Sequence, residues 1–176
     1  MEKKKEWVIA QEKITRYIQK LGFDVWKERT INNKRVDILA KKVSGEKITY
    51  LVFEIKHYNT VHAHNEREFF TQIQNYVKEL LLREVTRKSA KKVLKDYMFI
   101  GYLVFTNDFS LFRNRKKDLK RNFFNQSEKI LREIWKKKVS FFYSTPEFIK
   151  RNLVSLGIDL DKQLTLNQFF NYEENK

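Results

Sequence analysis

Two long apolar runs constrain the fold of this chain more than any other feature. Residues 48–58 read ITYLVFEIKHY and residues 97–108 read YMFIGYLVFTND. Both are rich in the β-branched and aromatic residues that favour strands, and apolar residues fill both faces for most of their length. A strand of this kind is typical of a sheet that is covered by helices on each side. We therefore expect an α/β protein.

The remaining segments alternate between helix and strand patterns. Apolar residues recur at helical spacing over residues 3–21 and 66–87, and Gly22 ends the first of these helices. Shorter strands are predicted at residues 23–30, 35–42 and 139–145. Further helices are predicted around 127–135 and from Pro146, which occupies the first helical position. The order α-β-β-β-α-β-(α)-β-α predicts a three-layer α/β/α sandwich with a mixed central β-sheet.

The composition is that of one domain with a substantial core. The chain has 176 residues, of which 41% are hydrophobic, and only four glycines and one proline. We expect a single domain over residues 1–176, with its core at about 3–145 and a C-terminal helical extension at about 146–171. Cysteine is absent. This excludes disulfides, thiol catalysis, cysteine-based zinc sites and iron–sulfur clusters.

Hydrophobic patterning gives no sign of a membrane span. No stretch approaches about 18 consecutive apolar residues, and the basic start MEKKKEW is not followed by the apolar core of a signal peptide. We expect an intracellular, cytoplasmic protein. Abundant lysine, glutamate, isoleucine and tyrosine, without cysteine, suggest a thermophilic source, and the small size suggests a virus or mobile element of such a host.

The charge balance indicates a polyanionic partner. Lysine and arginine number 37 against 22 aspartate and glutamate residues, which leaves a net charge of +15. Nucleic acid and an anionic membrane surface both satisfy such an excess. Nucleic acid is the commoner partner of a soluble protein, and we take it as the expected one.

Three charged residues lie inside the predicted strands. Glu54 and Lys56 share one face of the strand at 48–58, because side chains alternate with period two, and Asp37 lies inside the apolar run VDILA. Charge in a buried strand is costly unless it is paired or used. If Asp37 faces the same side of the sheet, two carboxylates and a lysine converge. The alternative is a cross-strand ion-pair network on a solvated face.

Such a set suits the hydrolysis of a phosphodiester bond. Carboxylate oxygens are ligands for Mg²⁺ or Mn²⁺, and a metal ion neutralises the phosphate and lowers the pKa of a bound water. A lysine can orient or deprotonate that water and stabilise charge on the phosphorus centre.

The same residues carry a family resemblance. Asp37 followed by Glu54-Ile55-Lys56 at the end of an apolar strand resembles the PD-(D/E)xK nuclease superfamily, which has the restriction-endonuclease-like fold. The predicted order α-β-β-β-α-β over residues 3–106 is similar to the core of that family. The resemblance implies that Asp37, Glu54 and the main-chain carbonyl of Ile55 bind Mg²⁺ or Mn²⁺. It also implies that Lys56 is the catalytic base or stabilises the phosphate.

A second motif resembles the RecB-like branch of this superfamily. Gln72 and Tyr76 form Q-x-x-x-Y on the next helix, sixteen residues after Lys56, and their i, i+4 spacing puts them on one helical face. The resemblance implies that both residues lie beside the metal site and contact DNA. The chain departs from the family in having Val36, where a proline often precedes the aspartate. It also lacks the cluster-binding cysteines of the CRISPR-associated relatives, so that subgroup is not expected.

The first helix has one candidate catalytic residue. Relatives often place a Glu, Gln or His there, pointing towards the metal, and no histidine precedes Asp37 in this chain. Gln11 lies seven residues before Ile18, near the apolar face, whereas Glu12 falls on the opposite face. We take Gln11 rather than Glu12 as the candidate.

A basic segment is the candidate DNA track. Residues 112–124 read FRNRKKDLKRNFF. With the net charge of the chain, we expect phosphate contacts there instead of a merely solvated face. The candidate residues are Arg113, Arg115, Lys116 and Lys117.

Two functions from different classes remain open. The first is a metal-dependent DNA nuclease, an exonuclease or structure-specific endonuclease of replication, recombination or repair, acting on duplex, single-stranded or branched DNA. Among these, a Holliday-junction resolvase would need a symmetric homodimer to cut two strands. The second is a non-catalytic nucleic-acid-binding protein that retains the nuclease fold.

Overall fold

A five-stranded mixed sheet forms the centre of the structure, a computed structural model that describes residues 5–57, 63–86, 96–106, 129–133 and 138–158. The elements in chain order are α1 (Glu6–Lys20), β1 (Asp24–Ile31), β2 (Lys34–Ser44), β3 (Lys47–Lys56), α2 (Ala63–Thr86), β4 (Asp96–Phe105), β5 (Lys138–Ser144) and α3 (Ile149–Ser155). The strands lie in the order β1-β2-β3-β4-β5. Strands β1, β2 and β3 pair antiparallel, whereas β4 pairs parallel with both β3 and β5. The prediction of an α/β chain with a mixed sheet is confirmed.

The predicted elements match the observed ones to within a few residues, with one correction at the C-terminal helix. The chain forms a turn over residues 146–148, in which the Phe148 N–H donates to the Thr145 carbonyl at 3.0 Å. Helix α3 therefore begins at Ile149 and not at Pro146. Residues 129–133 are helical, as predicted. Residues 127–128 and 134–135 of that predicted helix lie outside the described residues, as does the C-terminal extension beyond residue 158.

Two local conformations set the entry of the chain into the sheet. Gly22 has a φ of 77, and its N–H donates to the Gln19 carbonyl at 2.9 Å, which closes the C-terminus of α1. Asn32 and Asn33 have φ values of 44 and 63 and form the two-residue turn between β1 and β2. Asparagine tolerates this left-handed backbone better than most residues, and two such residues in sequence favour a tight hairpin. The antiparallel register of β1 and β2 follows from this turn.

The two faces of the sheet carry separate cores. Even-numbered residues of β3 from Ile48 to Val52 belong to a core built with α2. Odd-numbered residues from Leu51 to Ile55 belong to a second core, built with α1 and α3. This division explains why β3 is apolar on both faces.

None of the helices in the described residues is long and apolar enough to cross a membrane.

We predict that Gly101→Ala destabilises the protein, although alanine is normally acceptable in a strand. A Cβ atom at Gly101 of β4 would lie 2.7 Å from Cδ1 of Phe141 and 3.1 Å from Cγ2 of Val77. Overpacking of a close-packed core costs about 1–3 kcal/mol of unfolding free energy, which urea unfolding would measure. The double variant with Phe141→Leu should recover part of the loss. Additive effects of the two substitutions would contradict this explanation.

Candidate active site

The first part of the site lies where β2 and β3 stop pairing. The antiparallel ladder between them ends with the pair Ile38–Phe53, although β2 begins four residues earlier, at Lys34, and β3 continues to Lys56. The Oδ2 atom of Asp37 accepts a hydrogen bond of 2.6 Å from the main-chain N–H of Ile55. The carbonyl of Ile55 points to the same side as its N–H, because both groups of one strand residue face the same neighbour. The Asp37 carboxylate therefore lies against the main chain at the middle residue of Glu54-Ile55-Lys56.

Glu54 and Lys56 face α2 from the end of β3. The Lys56 Nζ atom donates to Oε1 of Glu54 at 2.5 Å and to Oε1 of Gln72 at 3.1 Å. It also lies 4.8 Å from the centre of the Phe69 ring on α2. Glu54 is only 3% exposed. An ion pair at this depth holds the ammonium group of Lys56 in one place.

A chain of hydrogen bonds connects this pair to β2. The Nε2 atom of Gln72 donates to the Tyr76 hydroxyl at 2.7 Å, and that hydroxyl donates to the Arg35 carbonyl at 2.8 Å. Gln72 and Tyr76 lie one helical turn apart, as their sequence spacing requires. The structure thus brings Gln72 and Tyr76 together with Glu54 and Lys56.

Burial and charge raise the pKa of Glu54. Removal from water is the largest cause, followed by the negative charge of Asp37. The positive charge of Lys56 and the Gln72 side chain act in the opposite direction, and the resulting pKa of Glu54 is about 7, against an ordinary value of 4.5. The charge of Asp37 on the neighbouring strand thus makes ionisation of Glu54 less favourable.

The pKa of Asp37 is also raised, mainly by burial. The Ile55 N–H and the charges of Lys56 and Arg35 lower it, whereas the charge of Glu28 raises it. Two neighbouring acids with raised pKa values are costly for the folded protein, and such groups are concentrated at functional sites.

The donor set fits a hard divalent cation. The Oε2 atom of Glu54 is buried and accepts no hydrogen bond from any described residue. Asp37 and the Ile55 carbonyl add oxygen donors on the neighbouring strands. No group of three His, Cys, Asp or Glu side chains suited to a metal occurs within the described residues. Two carboxylates with one carbonyl, completed by water, suit Mg²⁺ or Mn²⁺ better than a closed zinc site.

The structure places Gln11 on the main chain of Asp37. The Nε2 atom of Gln11 donates to the Asp37 carbonyl at 3.0 Å, and the side chain is 5% exposed. The preference for Gln11 over Glu12 as the inward residue agrees with this position. The observed contact of Gln11 is with the backbone that carries the carboxylate.

A cleft of about 650 Å³ lies beside the site, along the exposed face of α2. Sequence reasoning missed two cations in its lining, Lys34 after the hairpin turn and Arg67 in the first turns of α2. Neither residue belongs to a motif that could have identified it from the sequence. The lining residues are Lys34, Arg67, Glu68, Thr71, Gln72, Asn75 and Tyr76. The predicted DNA contacts Arg113, Arg115, Lys116 and Lys117 lie outside the described residues.

Comparison with protein-family models, curated proteins and solved structures finds no match to this chain. Function is therefore inferred from the groups that the fold brings together at the site and from the charge around them.

We predict that Glu54→Gln flattens the pH dependence of stability in metal-free buffer. A carboxyl whose pKa is raised from 4.5 to about 7 stabilises the folded state fully below pH 4.5, and this contribution is lost as pH rises through 7. The shift corresponds to about 3 kcal/mol of unfolding free energy. Urea unfolding between pH 4 and 8 with EDTA should show the wild type losing more stability than the variant. The exposed Glu46→Gln is the matched control, and equal losses in wild type and Glu54→Gln would refute the prediction.

Proposed function

We propose that this chain is a divalent-metal-dependent deoxyribonuclease that hydrolyses phosphodiester bonds. The observation that carries the proposal is the contact of Asp37 with Ile55 beside the Glu54–Lys56 pair, where β2 and β3 stop pairing, with a buried oxygen of Glu54 left without a donor among the described residues. A buried acid whose ionisation is opposed by a second acid, with one lysine that lowers the pKa of both, is poorly explained as a stabilising device. These groups are well explained as a cation site beside a phosphate.

The architecture supports a restriction-endonuclease-like assignment. The described elements follow the order α-β-β-β-α-β from α1 to β4, and a core on each face of the sheet is what a three-layer α/β/α sandwich would require. In this arrangement the acidic residues lie on two adjacent antiparallel strands, and the Q-x-x-x-Y residues approach them from the helix that follows.

The carboxylates of Asp37 and Glu54 and the Ile55 carbonyl would hold Mg²⁺ or Mn²⁺. When bound, such a cation withdraws charge from the scissile phosphate and makes an attacking water more acidic. Asp37 is kept in place by the Ile55 N–H, and Glu54 by Lys56. The protein would thus supply oxygen ligands that need little reorganisation.

Lys56 is placed to act on the phosphate or on the water. Its Nζ atom has two described acceptors, Glu54 and Gln72, and an ammonium group has three protons to donate. The remaining proton can bind a phosphate oxygen or orient a water. Tyr76 holds the Gln72 amide and so keeps Lys56 from turning away.

DNA would enter along the cleft on α2. Lys34 and Arg67 supply cations at its edge, and the net charge of +15 favours a polyanion as partner. The basic residues at 112–124 remain proposed DNA contacts. The site is compatible with an exonuclease or with a structure-specific endonuclease of replication, recombination or repair. A resolvase of this kind would act as a homodimer.

We predict that Asp37→Asn and Lys56→Ala each lower metal-dependent cleavage by about 100-fold or more, because each removes a group that acts in the transition state. Labelled duplex, single-stranded, flap and four-way-junction DNA would be incubated with Mg²⁺, Mn²⁺ or EDTA. DNA binding should persist in both variants. Lys41→Ala, on the same sheet but away from the site, is the matched control.

If the wild type binds DNA in a salt-sensitive manner but cleaves no substrate, the nuclease proposal fails. The chain would then be a non-catalytic nucleic-acid-binding protein. Cleavage that persists in Lys56→Ala would instead place the chemistry elsewhere in the chain.

We also predict that Lys34→Ala and Arg67→Ala weaken DNA binding and each reduce the slope of log K against log salt by about 1. Each substitution removes one phosphate contact in the cleft. Titration of fluorescent DNA at several salt concentrations would measure the slopes. Lys20→Ala removes an exposed cation from α1, on the opposite face of the sheet, and should leave the slope unchanged. Equal effects of all three substitutions would argue against the cleft as the DNA path.

A further inference from the structure

Strand β1 contains one residue with an unusual backbone. Glu28 lies inside β1 and has a φ of 52, in the left-handed region. A side chain with a Cβ atom adopts this region at a cost, and a residue within a strand has no turn to account for it. Strain of this kind persists only where the surrounding structure maintains it, and it is concentrated at functional sites.

The strained residue lies opposite the proposed catalytic aspartate. Strand β1 pairs with β2 on both sides of this position, through Lys27 and through Arg29, but Glu28 and Asp37 are not paired with each other. On the other side of β2, the ladder with β3 also stops before Asp37. Asp37 therefore has no ladder partner in either β1 or β3, although β2 lies between these two strands in the sheet.

Side chains take over the hydrogen bonds at the interruption. The Asp37 carbonyl accepts a hydrogen bond from the Gln11 amide at 3.0 Å, and the Ile55 N–H donates to the Asp37 carboxylate at 2.6 Å. A buried backbone group without a partner is costly, and these two bonds satisfy one carbonyl and one N–H at the interruption. They also fix both the main chain and the carboxylate of Asp37.

The side chain of Glu28 does not account for the strain. Its carboxylate makes an ion pair of 3.6 Å with Arg35, and both side chains are more than two-fifths exposed. An exposed pair of this kind contributes little to stability in water. Its negative charge also acts against ionisation of Asp37. The role of Glu28 therefore lies in its backbone conformation and not in its side chain.

We propose that Glu28 is a positioning residue, whose left-handed backbone holds Asp37 out of the sheet ladder so that the Asp37 carboxylate engages Ile55. The catalytic consequence rests on the proposed nuclease function, whereas the structural part does not. A regular strand at Glu28 would let β1 and β2 pair at Asp37 and would withdraw the carboxylate from Ile55.

The test compares substitutions that accept the left-handed region with one that resists it. Glu28→Gly and Glu28→Asn both remove the charge but tolerate the backbone, whereas Glu28→Val favours an extended strand. Glu28→Gln keeps the side-chain length and removes the charge. Lys27→Val is the matched control, because it introduces the same side chain at the neighbouring exposed and paired position.

The first readout needs neither metal nor DNA. In metal-free protein, the amide proton of Ile55 should resonate downfield because it is bonded to a carboxylate, and Asp37→Asn identifies this signal by moving it. We expect the signal to stay in place in the Gly, Asn and Gln variants of Glu28 and in Lys27→Val. In Glu28→Val it should shift upfield and exchange with solvent at least 10-fold faster.

The second readout is metal-dependent cleavage. We expect rates within about threefold of wild type for the Gly, Asn and Gln variants of Glu28 and a loss of at least 10-fold for Glu28→Val, with unfolding curves confirming a folded protein. If Glu28→Val does not fold, the Gly variant decides, because an altered Ile55 signal there would assign the effect to the side chain and overturn the proposal. An unchanged Ile55 signal in a folded Glu28→Val variant would also overturn it.

The two proposals fail in different ways. A wild type that cuts no DNA, but whose Ile55 signal responds to Glu28→Val as expected, would remove the nuclease function and leave the structural role of Glu28. A wild type that cuts DNA, but whose Ile55 signal does not change in Glu28→Val, would support the nuclease function and overturn the positioning role of Glu28.

Discussion

The burial of one carboxylate, Glu54, is the constraint on which the site depends. A charged group so far from water costs several kcal/mol unless the protein compensates for it. Lys56 donates to one of its oxygens, Gln72 accepts from Lys56, and Tyr76 accepts from Gln72 and donates to a carbonyl of β2. Each of these side chains needs the next one to be correctly placed. Helix α2 is thereby tied by polar bonds to the end of β3 and to β2, beyond the apolar core that it shares with the sheet.

The local structure gives up stability at this point. The charge of Asp37 raises the pKa of Glu54, the sheet is interrupted on both sides of Asp37, and Glu28 is held in an unfavourable backbone conformation. The surrounding sheet is apolar and well paired, so it can carry this cost. Local departures from the rules of packing and pairing are expected where a protein performs chemistry. The departures here coincide with the residues proposed to bind the cation.

Much of this arrangement was predictable because it follows from local periodicity. The period of two put Glu54 and Lys56 on one face of β3, and the spacing of four put Gln72 and Tyr76 on one face of α2. The contact of Gln11 was only partly predictable. Helical periodicity placed its side chain inward, but its acceptor, the Asp37 carbonyl, is free only because the sheet is interrupted there. The cations of the cleft, Lys34 and Arg67, come from distant segments and carry no motif.

The sequence by itself determined the order of helices and strands, the shared face of Glu54 and Lys56 and the tight hairpin at the two asparagines. These properties depend on near neighbours, so they can be read from spacing and residue type. The tertiary structure alone decided that Asp37 meets Ile55, that Gln11 bonds to the main chain of Asp37 and that Glu28 adopts a left-handed backbone. Each of these depends on which strands stop pairing and where. That choice balances hydrogen bonds across the sheet against strain within one strand, and the balance exists only once the segments are assembled.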